Sequence, residues 1–116
     1  MNKIKVIVFG AGGRMGREVA AVLNEDPDIE IQGLVEQPGH SAVGTEVEGF
    51  QVIDNPQMIE YDHKTVFVEF TGGKSAIKIA EMAKKGVNSI LIGSTGYGSE
   101  GLSKLREYAH TIGILA

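Results

Sequence analysis

The residues with the clearest chemical potential form one short run, Gly10-Ala11-Gly12-Gly13-Arg14-Met15-Gly16. It follows a β-branched stretch, Lys3 to Phe9, and opens a segment in which Met15, Val19, Val22 and Leu23 recur at three- and four-residue spacing. A strand that turns through glycines into a helix gathers unpaired backbone N–H groups at the positive end of the helix dipole. The chemistry predicted is capture of a phosphate-bearing anion, here the pyrophosphate of a dinucleotide. Gly10 would permit the tight turn, and Gly12 or Gly13 would let the backbone approach phosphate oxygens without a Cβ in the way. Gly16 would let the helix pack close to the first strand. A glycine triplet alone is a weak signal; the order strand, glycine turn, helix, second strand, acid is a much stronger one. That acid is Glu36, about twenty residues beyond the loop, where a carboxylate accepts hydrogen bonds from the adenosine ribose hydroxyls. Its charge opposes a 2′-phosphate, and Gln37 offers no arginine to bind one. A nicotinamide dinucleotide is therefore expected, with NADH slightly favoured over NADPH and Arg14 as a partial partner for the phosphate.

Such a loop works only at the edge of a sheet, and the remaining sequence supplies one. After the first strand, Lys3 to Phe9, and a helix from Gly13 to about Asn24, the Glu25-Asp26-Pro27-Asp28 cluster ends the helix and Ile29 to Val35 reads as a second strand. Residues 36 to 49 are rich in Gly, Pro and polar groups and read as a loop, before short strand Phe50 to Ile53. Asp54 and Asn55 can cap a brief helix before Tyr61. Thr65 to Phe70 is the fourth strand. Ser75 to Lys85 is a helix with Ala76, Ile77, Ala80 and Ala83 on one side and Gly86 as its C-terminal cap. Val87 to Ile92 is a strand, Ser99 to Ala109 a helix with Leu102, Leu105 and Ala109 inward, and Ile112 to Leu115 the last strand. Strands that alternate with helices and are apolar on both faces specify a doubly wound parallel sheet with helices on both faces. The expected fold is Rossmann-like α/β, with about six strands in one domain spanning residues 1–116.

Composition narrows the function classes. The 116 residues, 42% hydrophobic and 22% charged, suit one soluble domain. No apolar run approaches the roughly 18 to 20 residues of a membrane helix, no cysteine is present for disulfide or thiolate chemistry, and a cytoplasmic setting is expected. The net charge is −4, and residues 1 to 62 hold eleven of the fifteen acids but four of the eleven bases. Two of those four, Arg14 and Arg17, flank the glycine loop. A local positive spot on an acidic domain suits a small anion and not a nucleic acid. His40, His63 and His110 share no ligand spacing and read as ordinary loop or helix-surface residues, so no metal is expected. Ser94 and Thr95 lack a histidine or acid at an activating spacing, which disfavours a hydrolase. Lys74 reads as solvated. Glu69, ending a strand at the ligand edge, reads as a structural acceptor of loop amides in preference to a general base, and Met15 as part of a core stripe.

Four segments carry a resemblance along the whole chain: Gly-Ala-Gly-Gly-Arg-Met-Gly-Arg at 10 to 17, Val-Glu-Gln-Pro-Gly at 35 to 39, Val-Glu-Phe-Thr at 68 to 71 and Gly-Ser-Thr-Gly-Tyr at 93 to 97. The chain resembles the N-terminal domain of dihydrodipicolinate reductase (4-hydroxy-tetrahydrodipicolinate reductase), a family of lysine biosynthesis in bacteria and plants. The resemblance implies that Gly10, Ala11, Gly12, Gly13, Arg14 and Met15 line the pyrophosphate and that Glu36 holds the ribose. It further implies that Phe70 and Thr71 lie beside the cofactor, and that Gly93, Ser94 and Thr95 approach the nicotinamide, with Thr95 near the substrate. Three positions depart from the family pattern: Glu69 stands where aspartate is usual, Gly73 where proline is usual, and Ser94 where threonine is common. Gly73 is expected to loosen the start of the following helix.

The family's Ala/Pro-Asn-Phe-Ser segment, and the second domain with its His-His-Arg/Lys cluster and downstream lysine, have no counterpart in these 116 residues. No catalytic residue is therefore expected in this chain, which should bind NADH or NADPH and be nearly inactive alone. The family's homotetramer is built mainly by that second domain, so a monomer or weak dimer is expected here. Two alternatives use the same cofactor domain: a related amino-acid dehydrogenase acting on diaminopentanoate or aspartate, and a non-catalytic nucleotide-binding module.

Overall fold

In chain order, the computed structural model, which describes residues 3–116, has β1 (Ile4–Phe9), α1 (Arg14–Glu25), β2 (Ile29–Val35), β3 (Glu46–Val47) and β4 (Phe50–Ile53). A 3₁₀ turn (Pro56–Met58) leads to β5 (Val66–Glu69), α2 (Ala76–Gly86), β6 (Ser89–Ile92), α3 (Gly98–Tyr108) and β7 (Gly113–Leu115). The sheet order is β3-β4-β2-β1-β5-β6-β7. Every pairing is parallel except β3 with β4. Alternation along β1 separates two cores: Val6 and Val8 pack with Ala20 of α1, while Ile7 and Phe9 pack with α2 and α3. Helices thus cover both faces of an α/β sheet, with β1 and β2 central and β3 and β7 at the edges.

The parallel α/β sheet is as expected; it has seven strands, one more than the sequence suggested, and the β3–β4 pair is antiparallel. The extra strand, β3, lies inside the segment 36 to 49 expected to be a loop, and Glu48-Gly49 joins it to β4 in a two-residue hairpin. Both turn residues have positive φ, 52° and 83°, as the tight hairpin turn requires. Glutamate seldom adopts that conformation, so Glu-Gly lacks the signal that Asn-Gly or Asp-Gly carries.

Two helix faces differ from expectation. Met15 and Val22 were assigned to the core stripe of α1, yet they are 55% and 68% exposed, and the buried residues are Gly16 and Ala20. Small residues let the α1 backbone approach the sheet, and the larger side chains are pushed to its flanks. On α3, Leu102 and Ala109 face solvent, and Gly101, Leu105 and Tyr108 face inward. Periodicity locates a stripe to within about one residue position of rotation, and packing decides which edge is covered. On α2, Ala76, Ala80 and Ala83 are buried as expected, joined by Ile79, and Ile77 is partly buried. Gly86 is the last helical residue, not the cap; Val87 caps through its N–H to the Ala83 carbonyl.

The 3₁₀ turn begins as the sequence suggests. Asn55 Oδ1 accepts the Gln57 N–H at 3.0 Å. Asn55→Ala is expected to lower stability by about 1 kcal/mol in urea unfolding, the ordinary value of such a cap; an unchanged midpoint would show that the cap contributes nothing here. No helix among the described residues is long and apolar enough to cross a membrane.

Candidate functional site

Parallel pairing places the carboxyl ends of β2, β1, β5 and β6 side by side, and each expected site residue follows one of them. Glu36 follows β2, the glycine loop follows β1, Phe70 and Thr71 follow β5, and Gly93, Ser94 and Thr95 follow β6. Three strand spacings of about 4.8 Å spread this row over roughly 14 Å, an edge suited to an extended ligand.

The glycine loop is shaped by close approach. Gly10 has φ 86°, and a Cβ there would collide with the Phe70 carbonyl oxygen, so the β1 and β5 ends touch only because the residue is glycine. A Cβ on Gly16 would collide with the Gly10 carbonyl oxygen, which seats the first turn of α1 against the loop. Gly13 differs: its Cβ would meet nothing nearer than the Gly10 oxygen at 3.6 Å. Gly13 N–H bonds the Gly10 carbonyl at 3.2 Å and Arg17 N–H bonds the Gly13 carbonyl. The intervening N–H groups of Arg14, Met15 and Gly16 belong to the first turn of a helix whose start has no side-chain cap and no acidic residue. No side chain of the first turn compensates the end of the helix dipole, a condition that favours an anion there. Arg14 is exposed beside it, while Arg17 Nε donates to the Gly12 carbonyl at 3.2 Å and holds the loop.

Glu36 is buried, 7% exposed, with its carboxylate turned to the loop. Oε2 accepts the Gly12 N–H at 3.0 Å and Oε1 the Gln37 N–H at 2.9 Å. An ionised carboxylate has about four acceptor positions, so two remain for ligand hydroxyls. His40, read from sequence as an ordinary loop histidine, places Nε2 3.9 Å from Glu36 Oε2. Its Nδ1 accepts the Ala42 N–H at 3.0 Å, and the Ala42 methyl fills the space that a Cβ on Gly12 would need. Gly12 is therefore bare chiefly to admit the 40–42 turn. His40 stands only four residues after Glu36, but the segment is not helical, so their approach comes from the turn after β2 folding back on the loop.

On the other side of the row, Glu69 has no exposed surface. Its Oε2 accepts the Thr71 N–H at 2.7 Å, the Ser94 hydroxyl at 2.7 Å and the Thr71 hydroxyl, while Oε1 accepts the Ser94 N–H at 3.3 Å. Ser94 Oγ in turn accepts the Gly72 N–H at 2.8 Å. Four donors converge on one carboxylate, so Glu69 is the structural acceptor that the sequence suggested, tying the loops after β5 and β6 together. Thr71 and Ser94 consequently spend their hydroxyl protons inward and present backbone and carbon outward. The Phe70 ring packs on Gly93, where a Cβ would collide with it. Thr95 is exposed at the end of the row.

Gly73 does not loosen α2. It is buried, has φ 104°, and a Cβ would collide with the Thr95 carbonyl oxygen, so it locks the two loops together. Proline, fixed near φ −65°, cannot adopt this conformation. Ser75 receives the Gln37 side-chain N–H at 2.6 Å, linking the turn after β2 to the start of α2. Beside that link lies an apolar cavity of about 140 Å³ whose walls include Val35, Glu36, Pro38, Ile79 and Met82. A larger, open depression of about 880 Å³ lies at the amino ends of the strands, among Lys3, Lys5, Glu30 and Lys64, far from every glycine loop contact. Asp62, on its rim, accepts the Lys64 N–H at 2.8 Å, which holds its carboxyl below the usual range. Among the described residues no group of three or more His, Asp or Glu is placed to hold a metal ion.

The family model "Dihydrodipicolinate reductase, N-terminus" matches residues 4–116. A 4-hydroxy-tetrahydrodipicolinate reductase of Syntrophus aciditrophicus is 28% identical over 116 residues, covering 94% of this chain and 43% of that protein. One from Geobacter sp. is 32% identical over 120 residues, covering 97% of this chain and 45% of that protein. The chain thus spans less than half the length of these curated relatives. Among solved structures, a dipicolinate-bound dihydrodipicolinate reductase from Paenisporosarcina sp. superposes with a TM-score of 0.71 at 20% identity, over 92% of this chain and 43% of the other. GenD2 of gentamicin A biosynthesis, in complex with NAD, superposes with a TM-score of 0.64 at 23% identity, over 99% of this chain and 35% of the other. These two structures show the fold, and the family model that covers nearly every residue shows the lineage: the chain belongs to the dihydrodipicolinate reductase N-terminal family.

Proposed function

We propose that the chain is the cofactor-holding part of a dihydrodipicolinate-type reductase of lysine biosynthesis, binding NADH or NADPH along the row of strand ends. The observation that carries this reading is the uncapped, acid-free start of α1, framed by Gly10 to Gly13 with the Glu36 carboxylate fixed beside it. The N–H groups of Arg14, Met15 and Gly16 hold the pyrophosphate, with Arg14 alongside, and Gly10, Ala11, Gly12 and Gly13 shape the approach. Glu36 accepts the ribose hydroxyls with its two remaining acceptor positions. The apolar cavity flanked by Val35, Pro38 and Met82 receives the edge of the adenine. Phe70, Thr71, Gly93, Ser94 and Thr95 form the floor for the nicotinamide, braced from behind by Glu69. The cofactor supplies the hydride; this chain binds and orients it, and the groups that hold the cyclic substrate and deliver a proton belong to sequence of the relatives that the chain does not match. We place the step in the cytoplasm and the chain, by itself, as a monomer or weak dimer.

Calorimetric titration with NADH and NADPH, run beside an assay for substrate-dependent loss of nicotinamide absorbance, tests both halves of the proposal. Binding without turnover is the expected pair of results. Absence of binding by either cofactor would sink the first half, and robust turnover the second. Glu36→Ala is expected to weaken NADH by about 1.5–3 kcal/mol, roughly ten- to a hundredfold, because charge-assisted hydrogen bonds to the ribose are lost. NADH affinity equal to that of the unaltered chain would remove Glu36 from the ribose site.

A further inference from the structure

We propose that His40 reads the 2′ position of the adenosine ribose and so sets how far the chain discriminates NADPH from NADH; this rests on the dinucleotide reading given above. The ring is held in one orientation, because Nδ1 accepts the Ala42 N–H at 3.0 Å within a tight turn whose backbone also bonds His40 N–H to the Gln37 carbonyl. With Nδ1 occupied as an acceptor, the neutral imidazole carries its proton on Nε2. That Nε2 lies 3.9 Å from Glu36 Oε2, too far for a direct hydrogen bond. The gap is the right size for a ligand atom: an oxygen about 2.8 Å from both groups closes the triangle. The His40 side chain is 38% exposed and that of Glu36 6%, so a ligand reaches the carboxylate past the imidazole edge.

The pair treats the two cofactors differently. A 2′-hydroxyl at the apex donates to Glu36 and accepts from His40 Nε2–H, using both partners. A 2′-phosphate has oxygens that only accept, and Glu36 repels it, so the Nε2–H, beside the carboxylate, becomes a donor that holds it through a charge-assisted bond. Gln37 donates to Ser75, and Arg17 gives Nε–H, one of its five donors, to the Gly12 carbonyl. Arg14 and Arg17, both exposed, are the cations near the loop, and both stand on α1 and not in this turn. Losing His40 Nε2 therefore costs the phosphate its local donor, whereas the hydroxyl keeps its bond to the carboxylate.

The test separates this role from the support that His40 gives its turn. Asparagine accepts an N–H two residues ahead much as histidine Nδ1 does here, so His40→Asn keeps the bond to Ala42 and removes Nε2. Kd values for NADH and NADPH are measured by fluorescence titration for the unaltered 116-residue chain, His40→Asn, His40→Ala and Arg14→Ala. In His40→Asn the NADH Kd is expected to stay within roughly threefold and the NADPH Kd to rise roughly tenfold, the size of one charge-assisted hydrogen bond. His40→Ala should show the same change in ratio, with further weakening of both cofactors as the turn loosens. An unchanged ratio in His40→Asn overturns the proposal, whether both cofactors are unaffected or both weaken equally. So does a ratio governed by Arg14→Ala alone. If the unaltered chain binds neither cofactor, the underlying cofactor reading fails instead, and the two failures are told apart by that control.

Discussion

Gly16→Ala is expected to cost about 3 kcal/mol of stability and to abolish measurable cofactor binding, at the severe end of overpacking substitutions. The added methyl collides with the Gly10 carbonyl oxygen, a backbone atom at the end of a central strand that cannot rotate aside. Gly10 is itself confined, since its N–H bonds the Val35 carbonyl at 2.8 Å and the Phe70 carbonyl leaves no room for even a Cβ on it. Relief must come from α1, which moves outward and takes the Arg14, Met15 and Gly16 N–H groups away from the loop. Stability and binding therefore fall together. Gly13→Ala is the informative partner. Gly13 has φ −78° and ψ 169°, open to any residue, and room for a Cβ. That variant should unfold within about 0.5 kcal/mol of the unaltered chain, as a strain-free substitution does, while its methyl intrudes where phosphate oxygens must approach. Urea unfolding followed by circular dichroism, with NADH titration of each variant, checks both outcomes. A Gly16→Ala protein with an unshifted midpoint would mean that the contact between α1 and the loop is softer than described.

Glu69→Ala is the second large effect, about 4 kcal/mol of stability, because it strands four donors around a buried site at about 1 kcal/mol or more each. The consequence is local before it is global: the Thr71 and Ser94 segments lose their shared acceptor, and the proposed floor for the nicotinamide comes apart. Glu69→Gln separates charge from connectivity. Its remaining oxygen can sit where Oε2 accepts three of the four bonds, leaving its amide against the Ser94 N–H, whose bond at 3.3 Å is the longest of the set. That variant should lose only about 1 kcal/mol. Equal losses for alanine and glutamine would show that the negative charge, not the number of accepted bonds, stabilises the junction. Both are read from urea midpoints, with proteolysis at residues 71 to 75 and 93 to 97 reporting the local loosening.

Much of this architecture was legible because its signals are local. The bounds of β2 and β4 follow from apolar runs closed by turn residues, and the glycine loop follows from a strand whose period changes at a glycine cluster. Glu36 was placed by its distance in sequence from that loop, and Asn55 by capping chemistry. β3 was not legible: two residues carry no period, and the Glu48-Gly49 turn hides its positive φ at a glutamate. The role of Gly73 is hidden in the sequence because its close fit is set by the Thr95 carbonyl, twenty-odd residues away. The outward turn of Met15 and Val22 was equally hidden, since hydrophobic spacing specifies a stripe and close approach by Gly16 and Ala20 decides which part of it is covered.

By itself the sequence determined which elements form, their order, and which strand end each polar group would follow, because hydrogen bonding and side-chain periodicity act within a few residues. The tertiary structure decided what those groups do to one another. Parallel pairing of β5 with β6 turned Glu69, Thr71 and Ser94 into one network, and folding of the 40–42 turn onto Gly12 brought His40 to Glu36. The first depends on the distance between separate strands, which no local pattern encodes; the second joins residues four apart, but forms only because their turn packs on Gly12, whose missing side chain is recognised once the neighbouring backbone is in place.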